Sequence, residues 1–486
     1  MNSRISELGF AFCFAITHLL CTETVVSQPD SGSALTLREV ENLVIEHSVE
    51  LKEARIEQRI AREKEAMEFR NLFPSLSISY RQNRTVARRN FDNGRYSVQV
   101  KLSQPVYDGG RSSLRRKIAR IQTQMARDRR SLLRRKTAHE ARKSYLAMQG
   151  ALARLSLAHS RRLRSERLLE SARLEYRNGL ITRLDFLEIQ NQHRRSELKI
   201  HSARRSAEKS RRELILLTGL SKEAFPGIRL LDMSNTVFRA MTFSPDRLAE
   251  LTRKNHPRIL RLQRNLYRAR ENYKVSKEYY LPTISLTGRY GKTGDQWPPG
   301  QSEWGLGVNI TFRGLESTLS QNVGLDQSRN GASRGVASGG QLQVLNDTGV
   351  DARRLRATSS LLKARRALQD LKKALPLEAR MLARQYRDRR LELRTTEHAF
   401  RIQKKRFKID ALRYRKGQLA LEEYNEEEQR LHQSSLSRIQ KRIQLLQFIS
   451  QMELDLGIPH NGLRLVSIRY LPDLESRTLS EPGQSL

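Results

Sequence analysis

Hydrophobic and polar positions along this chain run through the same order twice. Leu37, Val40, Val44, Leu51, Ala54 and Ile60 fall at helical spacing and Pro74 ends the run, so a helix is expected from Leu35 to about Phe73. The period then drops to two. Leu76, Ile78 and Tyr80 alternate with Ser75, Ser77 and Ser79. After an Asn93-Gly94 turn signal, Tyr96, Val98, Val100 and Leu102 alternate with Ser97, Gln99, Lys101 and Ser103. Beyond Asp108-Gly109-Gly110 the helical period returns. Leu114, Ile118, Ile121, Met125 and Leu132, then Ala138, Ala141, Tyr145, Met148, Leu152 and Leu155, step by threes, fours and a seven, which is a coiled-coil seam. That helix should run about 65–70 residues, about 100 Å, to Asn178-Gly179. Gly179 stops it, and a further helix is expected from about Thr182 to Leu217. The two shorter helices add up to the long one, so the expected wall is one continuous helix partnered by two shorter ones stacked end to end.

The second half repeats this order. Leu72-Phe-Pro-Ser-Leu-Ser-Ile-Ser-Tyr80 returns as Leu281-Pro-Thr-Ile-Ser-Leu-Thr-Gly-Arg-Tyr290. Tyr176-Arg-Asn-Gly179 returns as Tyr414-Arg-Lys-Gly417, and Leu216-Leu-Thr-Gly219 as Leu454-Asp-Leu-Gly457. The expected organisation is a leader over 1–27, a first repeat over 35–220 with strands about 75–86 and 95–107, and a linker over 221–244. A second repeat follows over 245–458 with strands about 283–291 and 303–313, then a tail over 459–486.

The strands are about ten residues long with one apolar and one small or polar face, enough to cross a bilayer with lipid on one side and water on the other. Tyr80, Tyr96, Tyr290 and Trp304 lie near one end of the strands, and Phe73, Tyr107, Tyr280 and Phe312 near the other, as two interfacial girdles would. Four strands cannot close a barrel, and lipid tolerates no open edge, so several chains must combine if the strands are membranous.

Composition narrows the picture. Of 486 residues, 38% are hydrophobic and 29% charged, which suits long solvated helices better than a compact globule. No apolar run is long enough for a membrane-spanning helix. Arg4 followed by the mostly apolar Leu8–Leu20 resembles an export leader, with a cut expected ahead of Gln28. Both cysteines, Cys13 and Cys21, lie in that leader, so no disulfide framework is expected in the mature chain; Cys21 raises the question of lipidation. The net charge of +38 is spread along helices rather than gathered in a patch, and no nucleic-acid-binding motif accompanies it. The histidines, among them His47, His139, His193, His256 and His432, show no metal-ligand spacing, and no phosphate-binding glycine loop precedes a helix. No cofactor, metal or catalytic residue is expected.

Leu35-Thr-Leu-Arg-Glu39, Glu50-Leu51, Leu72-Phe-Pro-Ser-Leu76, Leu102-Ser-Gln-Pro-Val-Tyr-Asp-Gly-Gly-Arg111, Asn178-Gly-Leu-Ile-Thr-Arg-Leu-Asp185, Leu217-Thr-Gly-Leu220 and Asn255-His-Pro-Arg-Ile259 follow one another in a telling order and spacing. Through them the chain resembles the TolC-like outer membrane efflux protein family. The resemblance implies a mainly α chain with membrane β structure. Three chains would form a 12-strand β-barrel, four strands each, continued by a periplasmic α-helical barrel with an equatorial belt. It implies an outer membrane channel of a tripartite efflux or type I secretion system, a homotrimer partnered by a periplasmic adaptor protein, an inner-membrane transporter and outer membrane lipid, with no nucleic acid. Under it the turns 176–185 and 414–423 are periplasmic tips. Tyr176, Gly179, Leu180, Tyr414, Gly417 and Gln418 would meet the adaptor, and Asp185, Glu188, Glu423 and Glu426 would line the closed entrance as acidic rings. Tyr80, Tyr96, Tyr107, Tyr290, Trp304 and Phe312 would form the membrane girdles.

The halves differ in places. About 314–350 is an insertion rich in Gly, Ser and Asn, expected as a flexible loop, and Pro376 should kink the second long helix. The alternative function is a soluble basic coiled coil binding acidic polymers or nucleic acid, which would leave the strands and aromatic ends unexplained.

Overall fold

The computed structural model describes residues 34–470 apart from 86–92, 232–235, 242–243, 278–279, 315, 329–332, 347 and 468–469. The expected leader, both cysteines, the tip of the first hairpin and the tail beyond 470 lie outside the described residues.

Helix α1 (Leu37–His47) opens with a capping box in which Thr36 and Glu39 bond each other's backbone N–H. Ser48 separates it from α2 (Val49–Arg70), so the expected single helix is two. Strands β1 (Ser75–Thr85) and β2 (Asn93–Tyr107) lead into α3 (Arg111–Arg177), one helix of 67 residues, about 100 Å long. Helix α4 (Arg183–Thr218) closes the first repeat. A short β3 (Val237–Phe238) precedes the second repeat: α5 (Pro245–Asn255), α6 (Pro257–Lys277), β4 (Thr283–Gly294), β5 (Gln301–Gly314), β6 (Ser317–Ser328), β7 (Ser333–Gln343), α7 (Val350–Arg415) and α8 (Leu421–Asp455). Strand β8 (Val466–Ser467) comes last. Helix α7 continues through Pro376 over 66 residues.

Helix α3 packs along α1, α2 and α4, and α7 along α5, α6 and α8. Helices α1 and α4 meet where they stack. Gly219 ends α4 at φ +71 beside His47 at the end of α1, and a Cβ there would collide with the imidazole ring. At the same level the linker and tail form a belt. β3 pairs with β8, Leu35 bridges Ile228, and Leu231 bridges Tyr470. Each long helix fixes this belt with one buried tyrosine. Tyr145 donates to the Arg229 carbonyl and Tyr386 to the Arg239 carbonyl, both at 2.6 Å. Two hydrophobic clusters, around Tyr145 and Tyr386, share Phe238 and Val466 as common neighbours.

The main departure from expectation is in the sheet, which holds six strands per chain and not four, in the order β1-β2-β4-β5-β6-β7, all antiparallel. The expected loop at 314–350 is the hairpin β6–β7, and Gly335–Gly340 lies in β7. Its alternation is sparse: Leu319, Val323 and Leu325 in one strand, Val336 and Leu342 in the other, thinned by Gly, Ser and Asn. Backbone pairing to β5, from Trp304 opposite Gln327 to Gly314 opposite Ser317, makes strands of a composition that reads as loop.

Candidate periplasmic entrance

Both long helices end in the same backbone device. At the first tip Gly179 has φ +68 and the Leu180 N–H reaches back to the Glu175 carbonyl at 2.8 Å. At the second, Gly417 has φ +68 and the Gln418 N–H reaches the Arg413 carbonyl at 2.9 Å. These are Schellman caps, which need a residue free to adopt the left-handed region. Each tip is then closed by an aromatic stack across the turn. Tyr176 lies on Phe186 with centroids 5.3 Å apart and planes 14° from parallel, and Tyr414 lies on Tyr424 at 4.8 Å and 20°. Leu168, Ala172 and Ile189 form a small core that takes in Phe186, Tyr414 and Tyr424, so the two tips of one chain pack together. Burial is the main cause raising the Tyr414 hydroxyl to about 12, with Glu175 beside it adding to the effect.

The caps of the following helices differ. Thr182 and Asp185 form a capping box: the Thr182 hydroxyl oxygen accepts from the Asp185 N–H at 3.2 Å, and the Asp185 carboxylate accepts from the Thr182 N–H at 3.0 Å and its hydroxyl at 2.7 Å. Hydrogen bonds from the Thr182 side chain and backbone hold the Asp185 carboxyl below the usual range. Asp185 therefore starts a helix as well as standing where an entrance acid was expected. In the second repeat Ala420 holds the cap position and offers no side-chain bond, so Glu423, the counterpart of Asp185, has no capping partner.

The five acids after the second tip take different places. Glu428 is buried and accepts from Arg164 Nε at 2.9 Å. Glu427 takes Arg430 Nη1 at 2.5 Å, and Glu426 takes Arg430 Nη2 at 2.9 Å. Glu422, Glu423 and, at the first tip, Glu188 are exposed and have no ion pair among the described residues. Glu423 and Glu426 stand one turn apart on one side of α8, as their i, i+3 spacing requires. Of that pair, Glu426 is paired with Arg430 and Glu423 has no ion pair among the described residues.

Sequence reading missed the basic cluster behind these acids. Arg161, His432 and Glu428 are buried between α3, α4 and α8, with Lys199 beside them. Burial first, then Arg161, Lys199 and Arg164, push the His432 imidazole down to about 4. The residues sit on three helices and meet only once those helices pack. Also missed are Leu184 and Leu187, which with the expected tip residue Leu180 make a run of exposed leucines at the first tip that the second tip does not reproduce at Gln418 and Glu422.

The expected girdle residues lie on the sheet as drawn from the alternation. Tyr290 stands opposite Trp304, and Tyr80, Tyr96, Tyr290 and Trp304 share one face near one end of the strands. Trp297, in the turn between β4 and β5, joins them edge-on, 5.6 Å from Tyr80 and 6.1 Å from Tyr96. Tyr107 and Phe312 lie at the opposite end, paired with Ile284 and Leu319. Among the described residues no helix is long and apolar enough to cross a membrane, and no group of His, Cys, Asp or Glu is placed to hold a metal.

Residues 41–220 match the model of the outer membrane efflux protein family. A comparison with curated proteins returns no match. Among solved structures, the chain is similar to the Campylobacter jejuni CmeC outer membrane channel, with TM-score 0.68 and 15% identity over 87% of this chain and 85% of that one. It is similar to a membrane protein from Pseudomonas aeruginosa, with TM-score 0.70 and 17% identity over 89% and 92%. It is also similar to the open state of the Neisseria gonorrhoeae MtrE outer membrane channel, with TM-score 0.66 and 15% identity over 88% and 89%. The family and these channel neighbours are transport proteins and not enzymes. The chain therefore has the fold of the outer membrane efflux channels and carries, in its first repeat, the sequence signature of the outer membrane efflux protein family.

Proposed function

We propose that this chain is the outer membrane channel of a tripartite efflux or type I secretion system, carrying substrates from the periplasm or an inner-membrane transporter to the exterior. One observation supports this above others. A sheet of bilayer-length strands with a single exposed apolar face continues directly into helices about 100 Å long that end in paired, capped tips. A soluble coiled coil has no use for such a face, which carries Leu76, Ile78, Leu306, Leu325 and Val336, all more than half exposed.

In this reading the apolar face meets outer membrane lipid and the aromatic rows sit at its two interfaces. The channel is a homotrimer, with the α-helical part in the periplasm. The tips at Gly179-Leu180 and Gly417-Gln418 meet a periplasmic adaptor, and the leucines at 180, 184 and 187 give that contact an apolar centre. Three copies of Glu423 converge at the entrance, with Glu188 nearby and Glu426 partly neutralised by Arg430. An acidic ring at a narrow opening favours cations and repels anions. Export energy comes from the inner-membrane transporter.

Membrane fractionation tests the reading. The mature chain should stay with outer membranes and require detergent for release. Recovery in the soluble fraction without detergent would defeat it.

A further inference from the structure

The third hairpin belongs to the same sheet as the other two, on both faces. On the apolar face the cross-strand rows do not stop at β5. One row runs Leu76, Leu102, Gly288, Leu306, Leu325 and Val336 across all six strands. A shorter one runs from Phe312 through Leu319 to Leu342. On the polar face the hairpin is tied back to β4. Arg289 on β4 pairs with Asp326 on β6, passing over β5 at Gly305. A Cβ at Gly305 would collide with the Asp326 carboxylate and come within 2.7 Å of Arg289 Nε, so the ion pair needs glycine between its partners. A loose insertion would have neither the continuous apolar row nor this tie.

The outer edge of β5 is therefore occupied within the chain, and among the described residues the free edges are those of β1 and β7. Lipid supplies no hydrogen bonds to a free edge. An even number of alternating strands also leaves β7 running opposite to β1, as antiparallel closure between copies requires. We infer that β7 of one copy pairs with β1 of the next, so that each chain contributes six strands and a ring of three copies closes as an eighteen-strand barrel. The inference rests on the channel reading above and changes its barrel from the expected twelve strands. Barrel diameter grows about linearly with strand number, so the mouth widens about 1.5-fold at the same strand tilt. The widening is confined to the sheet, because the hairpin adds nothing to the helices that form the entrance.

Paired cysteines test the seam in full-length protein in isolated outer membranes. Ser77→Cys or Ser79→Cys in β1 is combined with Ala337→Cys, Gly339→Cys or Gln341→Cys in β7. A second set combines the same β1 positions with Asn309→Cys or Thr311→Cys in β5. Oxidation should link subunits in the β1–β7 set and not in the β1–β5 set. Linking through β5 would overturn the proposal, as would no linking in either set. A density map of the detergent-purified assembly counts strands independently of register: eighteen supports the inference and twelve overturns it while leaving the channel reading intact. Absence of the protein from the membrane fraction would overturn both.

Discussion

Tyr414 stacks on Tyr424 across the second tip as Tyr176 stacks on Phe186 across the first, with centroids 4.8 and 5.3 Å apart. In each tip the left-handed glycine lies between the two stacking residues in the chain, so cap and stack close the same turn. Tyr424 also touches Phe407 and the Leu168–Ala172–Ile189 core, so it joins the two tips of one chain. Tyr424→Ala should destabilise the tips by about 2 kcal/mol. Tyr424→Phe should restore most of that loss. Faster hydrogen exchange at 410–428 and also at 168–190 in Tyr424→Ala checks the coupling between tips.

Glu428 and Glu426 lie two residues apart and should behave oppositely. Glu428 is 2% exposed and faces Arg164 and Arg161, so Glu428→Gln leaves buried positive charge without its counterion and should cost about 3 kcal/mol or more. The Glu426–Arg430 pair is more than half exposed on both sides, and Glu426→Gln should change stability by less than about 0.5 kcal/mol. Denaturant unfolding of the two variants side by side checks this.

The duplicated framework could be read directly from the residues because period, turn glycines and capping residues are local signals. Strand limits, both long helices and the tips fall within a few residues of expectation. The division of Leu35–Phe73 at Ser48 was hidden by apolar spacing that continues in phase across it. The β6–β7 hairpin was hidden because its small and polar residues carry little β signal, and its pairing to β5 is a tertiary fact. The candidate entrance was only partly readable. Spacing put Glu423 and Glu426 on one side of a helix; the Thr182–Asp185 capping box and the Glu426–Arg430 pair are also local spacings, but went unread, whereas the convergence of Arg161, Lys199 and His432 behind them from three helices is a tertiary fact.

His432 should make the tip region sensitive to acid. Burial first, and then Arg161 of α3, Lys199 of α4 and Arg164 of α3, push its imidazole down to about 4 in the folded chain, against about 6.5 in an unfolded one. Between those values the unfolded chain binds the extra proton. Stability is therefore complete above about 6.5 and is lost as pH falls toward 4, by an amount on the order of 3 kcal/mol. His432→Gln should flatten this part of the profile. Hydrogen exchange at 424–440 between pH 7 and 4.5, corrected for intrinsic rates, checks the slope.

Ala420 leaves the second tip without the capping box that Thr182 gives the first. Ala420→Thr restores the pattern with Glu423 three residues on and should stabilise the start of α8 by about 1 kcal/mol. The same substitution draws the Glu423 carboxylate back onto the helix end. Divalent-cation block of the channel should weaken in Ala420→Thr, as in Glu423→Ala, and change less in Glu426→Ala. Titration of the block in planar bilayers ranks the three variants.

Purified full-length protein added to a planar lipid bilayer shows whether this chain forms a conduit through the outer membrane. Stepwise, cation-preferring single-channel currents are expected, with a conductance and cation block that shift in Glu423→Ala. A protein that inserts no discrete channels, or whose currents and block are unchanged in Glu423→Ala, would contradict the conduit in the first case and the acidic entrance in the second.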